Sequence, residues 1–229
     1  MSDHSHDNLF AQPLGKVPGF VFDEAVVAVF PDMISRSVPG YATILSHCGE
    51  LASRYVQPET NCYDLGCSLG ATSLAIQSRI EGRQATIVGI DNSQAMLERC
   101  TEILQKKHSN TSIKLLHQDI SDTEITNASM VVMNFTLQFI PMAQRLDLVE
   151  KIYAGLNPGG CLVISEKLRF EPESLNSLLS DLHHRFKRAQ GYSSLEISQK
   201  RDSIENVLIP ETLDTHLERL RACGFQSAS

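Results

Sequence analysis

Between Asn61 and Lys167 the sequence alternates short apolar runs with amphipathic ones, and this alternation limits the possible folds more than any other feature. Cys62 to Cys67 reads as a strand and Ala71 to Arg79 as a helix. Ala85 to Asp91 is a second strand, rich in isoleucine and valine, and Gln94 to Lys107 is a helix with Ser93 as its N-cap. Ile113 to Asp119 is a third strand. Met130 to Phe135 is a fourth, apolar on both faces as a central parallel strand must be. Arg145 to Gly155 is helical, Asn157-Pro158-Gly159-Gly160 is a turn, and Cys161 to Glu166 is a fifth strand. Strands that alternate with helices predict an α/β fold with a mostly parallel, doubly wound sheet.

The flanks are helical. Phe22, Val26, Val29 and Phe30 share one helical face, and Pro31 is expected to break the run. Tyr41 to Tyr55 forms a second helix on a stripe of Ile44, Leu45, Cys48, Leu51 and Ala52. After Lys167 come three helical stretches, Leu175 to Arg188, Ser194 to Val207 and Glu211 to Cys223, the last closed by Gly224. The expected organisation is a single domain. It has an N-terminal arm over 1–20, helices over 21–58, the sheet-bearing core over 59–168, and a helical insertion with the last helix over 169–224. The polar stretch from Met1 to Asn8, which holds His4 and His6, reads as a frayed end rather than a metal site.

Apolar residues make up 42% of the chain, enough for a buried core, and the formal net charge is -7. That balance argues against a direct grip on nucleic acid, which calls for a basic stripe. The pairs Lys187–Arg188 and Lys200–Arg201 read as solvated helix faces. None of Cys48, Cys62, Cys67, Cys100, Cys161 and Cys223 forms a CxxC pair, so a reducing, cytoplasmic setting with no disulfide framework and no metal site is expected. No signal peptide and no apolar run of membrane-spanning length stands out, so no membrane association is expected.

Open parallel sheets bind ligands beyond the carboxyl ends of their strands, where the strand order reverses. The first strand ends in Asp64-Leu65-Gly66-Cys67-Ser68-Leu69-Gly70. Gly66 lets a ligand approach the backbone and Gly70 lets the next helix pack closely, while Ser68 stands where a dinucleotide fingerprint wants glycine. The pattern therefore disfavours a dinucleotide and leaves a nucleoside open. Asp91-Asn92 ends the second strand, where a carboxylate can accept ribose hydroxyls or merely shape a loop. Asp119-Ile120 ends the third and could pair with an adenine amine or cap the next segment. Asn134-Phe135-Thr136 ends the fourth, and a buried Asn needs a partner, either ligand or backbone.

Together these strand ends resemble the Rossmann-like class I S-adenosylmethionine-dependent methyltransferases over roughly Asn61 to Lys167. Longer stretches narrow the resemblance: "FPDMISRSVPGY", "YDLGCSLGATSL", "GIDNSQAMLERC", "NFTLQF", "GLNPGG", "SEK" and "DLHHRFKRAQGYS" followed by "EISQKR". These resemble the carboxy-S-adenosyl-L-methionine synthase family from about Leu9 to Phe225. The resemblance implies that S-adenosylmethionine and prephenate become carboxy-S-adenosylmethionine and phenylpyruvate, with the product serving a second enzyme that modifies a tRNA wobble uridine. A sulfonium acidifies its methyl hydrogens, prephenate can lose carbon dioxide and hydroxide as its ring aromatises, and a water-excluding site would protect the reactive carbon. It further implies two more strands after Phe225.

The resemblance also implies the ligand contacts: Tyr41, Gly66, Cys67, Ser68, Asp91, Asn92, Asp119, Ile120, Asn134 and Arg201. Asp91 is expected to hold the ribose, Asp119 and Ile120 the adenine, and Gly66 and Asn134 to lie near the methionine part. Arg201 is expected to meet the added carboxylate, an arginine's bidentate task, from the partner subunit of a homodimer. From the residues alone, Tyr41 could equally be core packing and Arg201 a surface charge. His183 and His184 are adjacent on a helix, so at most one faces the site, and structural roles are expected of both. Two other readings stay open: an ordinary small-molecule methyltransferase, and a non-catalytic S-adenosylmethionine-binding subunit of a tRNA-modifying complex.

Overall fold

The structure, a computed structural model, describes residues 5–107 and 109–228, so His4 lies outside the described residues. Two helices lead in, α1 (Glu24–Ser37) and α2 (Tyr41–Tyr55). The alternating core follows as β1 (Asn61–Leu65), α3 (Ala71–Gln77), β2 (Thr86–Asp91), α4 (Gln94–Gln105), β3 (Ser112–His117), β4 (Ala128–Asn134), α5 (Arg145–Gly155) and β5 (Leu156–Ser165). Two short 3-10 turns, Leu137–Phe139 and Met142–Gln144, join β4 to α5. The helices α6 (Glu173–Ala189), α7 (Ser194–Ile204) and α8 (Leu213–Ala222) complete the order.

All five strands pair in parallel, in the order β3-β2-β1-β4-β5. The order reverses between β1 and β4, which places the crevice beyond Leu65 and Asn134. As expected for the strand at this reversal, β4 is buried on both faces. Val131 and Met133 face a layer with Leu148, Val149 and Ile152 of α5. Met130 and Val132 face the opposite layer, with Cys48 and Ala52 of α2 and Ile76 of α3. Val26, Val29 and Met33 of α1 pack on Leu69 and Met96 as a third cluster. All six cysteines are free thiols.

Local signals hold at several ends. Ser93 Oγ accepts from the Met96 amide at 3.2 Å, and Gly224 takes φ 103° just past α8. The expected break at Pro31 does not occur, because α1 runs through it. Proline removes one amide donor, but the apolar face of Val26, Val29 and Met33 continues across it in the core, and burial outweighs the missing bond. The expected turn at Asn157–Gly160 is instead a wide bulge inside β5. Leu156 pairs with Ala128 and Cys161 already pairs with Met130. Gly159 takes φ 78°, and a Cβ at Gly160 would stand 3.1 Å from the Ser129 carbonyl, so the glycines let the extra residues fold against β4.

The expected frayed end is also corrected. Asp7 is only 1% exposed. Its amide donates to Asp32 Oδ2 at 2.7 Å, its carboxylate accepts from the Tyr192 hydroxyl, and its carbonyl accepts from Arg36 Nη1 at 3.3 Å. Gln199 then clamps the arm, donating to the Phe10 and Gln12 carbonyls at 2.9 Å each and accepting from the Leu14 amide at 2.6 Å. His6 remains exposed, 3.5 Å from Asp32 Oδ2.

Candidate active site at the strand tips

The turn after β1 is set by its own hydrogen bonds. The Gly66 and Cys67 amides both donate to the Ile90 carbonyl, at 2.8 and 2.9 Å. Gly66 has φ 77°, and a Cβ there would stand 2.6 Å from the Thr136 side chain, whose hydroxyl donates to the Leu65 carbonyl at 2.8 Å. The glycine is thus required by Thr136 as well as by any ligand. Gly70 has a similar reason of its own, since a Cβ would lie 2.7 Å from Cys100 Sγ of α4. Ser68 adopts φ 48°, left-handed for a non-glycine residue, and its amide donates to Asp91 Oδ2 at 2.9 Å.

Asp91 is 8% exposed at the tip of β2. Burial raises its pKa, and the amides of Ser93, at 2.9 Å to Oδ1, and of Ser68 pull the other way. Asn92 is exposed beside it, its carbonyl 3.1 Å from His117 Nε2. Asp119 is exposed and caps the next segment, accepting from the Ser121 amide at 2.8 Å, while Ile120 is buried beside it. Cys67 is buried, and its thiol is held protonated by a hydrogen bond with Cys100 and by burial.

Asn134 carries the clearest unfilled valence. Its amide donates to Thr72 Oγ1 at 3.1 Å, yet its buried Oδ1 has no partner. A buried acceptor without a donor is costly, so this atom is free to accept from a water or from a ligand at the strand tips. Tyr41, at the start of α2, is half-buried and holds its ring 6.5 Å from that of Phe135, next to Asn134. Burial, then the Asp64 carboxylate, raises the Tyr41 hydroxyl. Asp64 itself is buried and bonded by Ser73 Oγ at 2.7 Å, and burial pushes it up to about 6.

Glu166, just past β5, anchors the β4 tip. Its carboxylate accepts from the amides of Thr136, Leu137 and Gln138 at 3.1, 2.8 and 3.2 Å. Burial nonetheless pushes it up to about 7. Sequence reasoning missed Thr72, Thr136 and Glu166. The signal for Thr136 was its place directly after the strand end, and "SEK" already contained the glutamate. Arg201 stands apart from this tight set: it is exposed on α7, with Nε 3.9 Å from Glu205 Oε2, and its charge reaches Lys167, two residues past β5. Among the described residues no group of three His, Cys, Asp or Glu side chains could hold a metal, and no helix is long and apolar enough to cross a membrane.

A parallel sheet reversing at β1 and β4, with an acidic β2 tip and a glycine-bearing β1 turn, is the class I methyltransferase fold. A methyltransferase-domain family model matches residues 63–160. The cyclopropane synthase MmaA2 from Mycobacterium tuberculosis superimposes with a TM-score of 0.58 at 15% identity, over 77% of this chain and 59% of that one. Within this class the sequence goes further. It is 54% identical to the carboxy-S-adenosyl-L-methionine synthase of Aliivibrio fischeri, over 97% of this chain and 92% of that protein. It is also 54% identical to that of Trichlorobacter lovleyi, over 97% of this chain and 91% of that protein. The chain belongs to the carboxy-S-adenosyl-L-methionine synthase family, a family of transferases.

Proposed function

We propose that this enzyme converts S-adenosylmethionine and prephenate to carboxy-S-adenosylmethionine and phenylpyruvate, and so supplies the carboxymethyl donor for modifying a tRNA wobble uridine. Family membership at 54% identity carries the reading. The partnerless Asn134 Oδ1 and the Asp91 carboxylate, at the strand tips on either side of β1, support the nucleoside's place. S-adenosylmethionine supplies a sulfonium with an acidic methyl group. Prephenate supplies carbon dioxide and hydroxide, and the balance is one added carboxylate, one phenylpyruvate and one water.

The chain's own residues bind and exclude. Asp91 accepts the ribose hydroxyls on lone pairs its two amides leave free. Ile120 and Asp119 flank the adenine, and Asn134 Oδ1 receives a donor from the methionine part. Tyr41 and Phe135 close the reacting end against water. Arg201, exposed on its own protomer, reaches across a homodimer to the new carboxylate, and the acidic chain has no need to hold tRNA itself. Incubating the protein with S-adenosylmethionine and prephenate should give a product one carboxyl group heavier and phenylpyruvate in equal amount. Methyl transfer to an acceptor without a carboxylated product, or tight nucleoside binding with no turnover, would overturn the reading.

A further inference from the structure

Where α6 and α7 meet the end of α1, cations outnumber the acids available to them. Ser37, the last residue of α1, ties the elements together. Its carbonyl meets His183 Nε2 at 2.7 Å and its hydroxyl accepts from Lys200 Nζ at 3.3 Å. Lys187 stands one helical turn past His183, on the same face of α6. Lys167 approaches from the sheet, two residues beyond Ser165, the β5 residue paired with Asn134. Tyr41 follows Ser37 by one short loop and places its ring 6.5 Å from Phe135, so the cluster adjoins the strand tips.

The nearby acids are already engaged. Asp32 pairs with Arg36 at 2.9 Å, Asp7 lies 3.6 Å from Lys200 Nζ and accepts from Tyr192, and Glu205 flanks Arg201. Among the described residues, neither the Lys167 nor the Lys187 ammonium makes a hydrogen bond or a contact ion pair, and the one carboxylate whose charge reaches Lys187, Asp7, is already shared with Lys200 and Tyr192. Burial, and then the Lys167 charge, pushes Lys187 down to about 8; burial, and then Arg201, lowers Lys167. Lys167 is exposed and Lys187 half-buried, so a solute can reach both, and an anion between them would relieve their mutual repulsion. The expectation that Lys187 and Lys200 are solvated helix charges is thereby corrected: Lys187 is half-buried and Lys200 buried.

We propose that Lys167 and Lys187 form an anion subsite beside the strand tips that docks the carboxylate the carboxyl donor keeps. This rests on the carboxyl-transfer reading above. Of the donor's two carboxylates, one departs as carbon dioxide and needs no lasting cation, whereas the other stays on the keto acid and must be held until release. Lysine suits a grip that lets go, because its ammonium is a point charge on a flexible stem rather than a bidentate fork.

The test uses Lys167→Met and Lys187→Met in the full chain, with Lys187→Arg as the conservative control. Calorimetry should give S-adenosylmethionine affinities within about two-fold of the parent, while the KM for prephenate rises about ten-fold or more and kcat changes less. Lys187→Arg should restore part of the KM. An unchanged KM overturns the proposal. So does an equal loss of S-adenosylmethionine affinity, which would give the lysines to the amino-acid end of the nucleoside. Should the parent protein make no carboxylated product, sodium malonate replaces prephenate as a binding probe. Malonate binding that both Met variants lose then sustains the subsite while the carboxyl-transfer reading falls; no binding by the parent, or equal binding by the variants, overturns the subsite.

Discussion

The strand-tip crevice and the cap of α6, α7 and the N-terminal arm are built on opposite plans. In the crevice, side chains are positioned by backbone amides: Asp91 by Ser68 and Ser93, Glu166 by three successive residues. Beneath it lies apolar packing from neighbouring elements. In the cap, charges position one another, and the links span most of the chain, as from Asp7 to Tyr192 and Lys200. The contrast teaches that one region is specified largely by pattern within the alternating core and the other by charges that only the tertiary fold brings together.

The largest effect expected is a core one. Ile90→Ala empties a fully buried position in β2 and should cost about 2–5 kcal/mol of global stability, read by chemical denaturation with one cooperative transition. A crevice variant separates binding from folding. Asp91→Ala should weaken S-adenosylmethionine binding by roughly 1.5–3 kcal/mol, the scale of hydrogen bonds to a charged group, and unchanged calorimetric affinity would remove Asp91 from the site. A cap variant should act locally. Asp7→Asn strips the buried Lys200 of its counter-charge and should cost about 1–3 kcal/mol, seen as faster hydrogen exchange in the arm and α7 while β1 and β4 stay protected. Uniform exchange across both regions would break the comparison.

The smallest effect is a difference in sign. Burial pushes Glu166 from 4.5 up to about 7 and Asp64 from 3.8 up to about 6. Between the ordinary and raised values the folded chain keeps protons the unfolded chain has released, so stability falls as pH rises through that window. Lys187 and Lys200 run the other way, from 10.5 down to about 8. Between those values the unfolded chain holds the extra protons, and stability rises with pH. Melting curves across pH should show a shallower acid-side fall in Glu166→Gln and a flatter alkaline rise in Lys187→Met.

The same contrast explains what the sequence disclosed. The sheet, the Ser93 cap, Gly224 past α8 and the acidic β2 tip were legible, because each depends on residues within a turn or a strand of one another. The path of α1 through Pro31 was not, since the core face that carries it is a tertiary fact. Nor was the bulge over Asn157–Gly160, where Gly160 lies against the Ser129 carbonyl across the sheet. Asp7 looked like part of a polar tail because its partners, Tyr192 and Lys200, are far away in sequence. At the site, Asp91 and Asn134 stood out by position, whereas Thr72 bonds Asn134 and Glu166 holds the turn after it through contacts no local pattern announces.

Ser68 and Asp91 carry one more consequence. The serine's left-handed turn is cocked before any guest arrives, latched by the carboxylate that a sugar would also touch. Because amides already orient both carboxylate oxygens, a nucleoside placed as proposed would meet acceptors aimed in advance, their ordering settled by the fold. On the ribose role proposed for Asp91, discrimination between hydroxylated and deoxygenated sugars would then come from a template the fold itself sets.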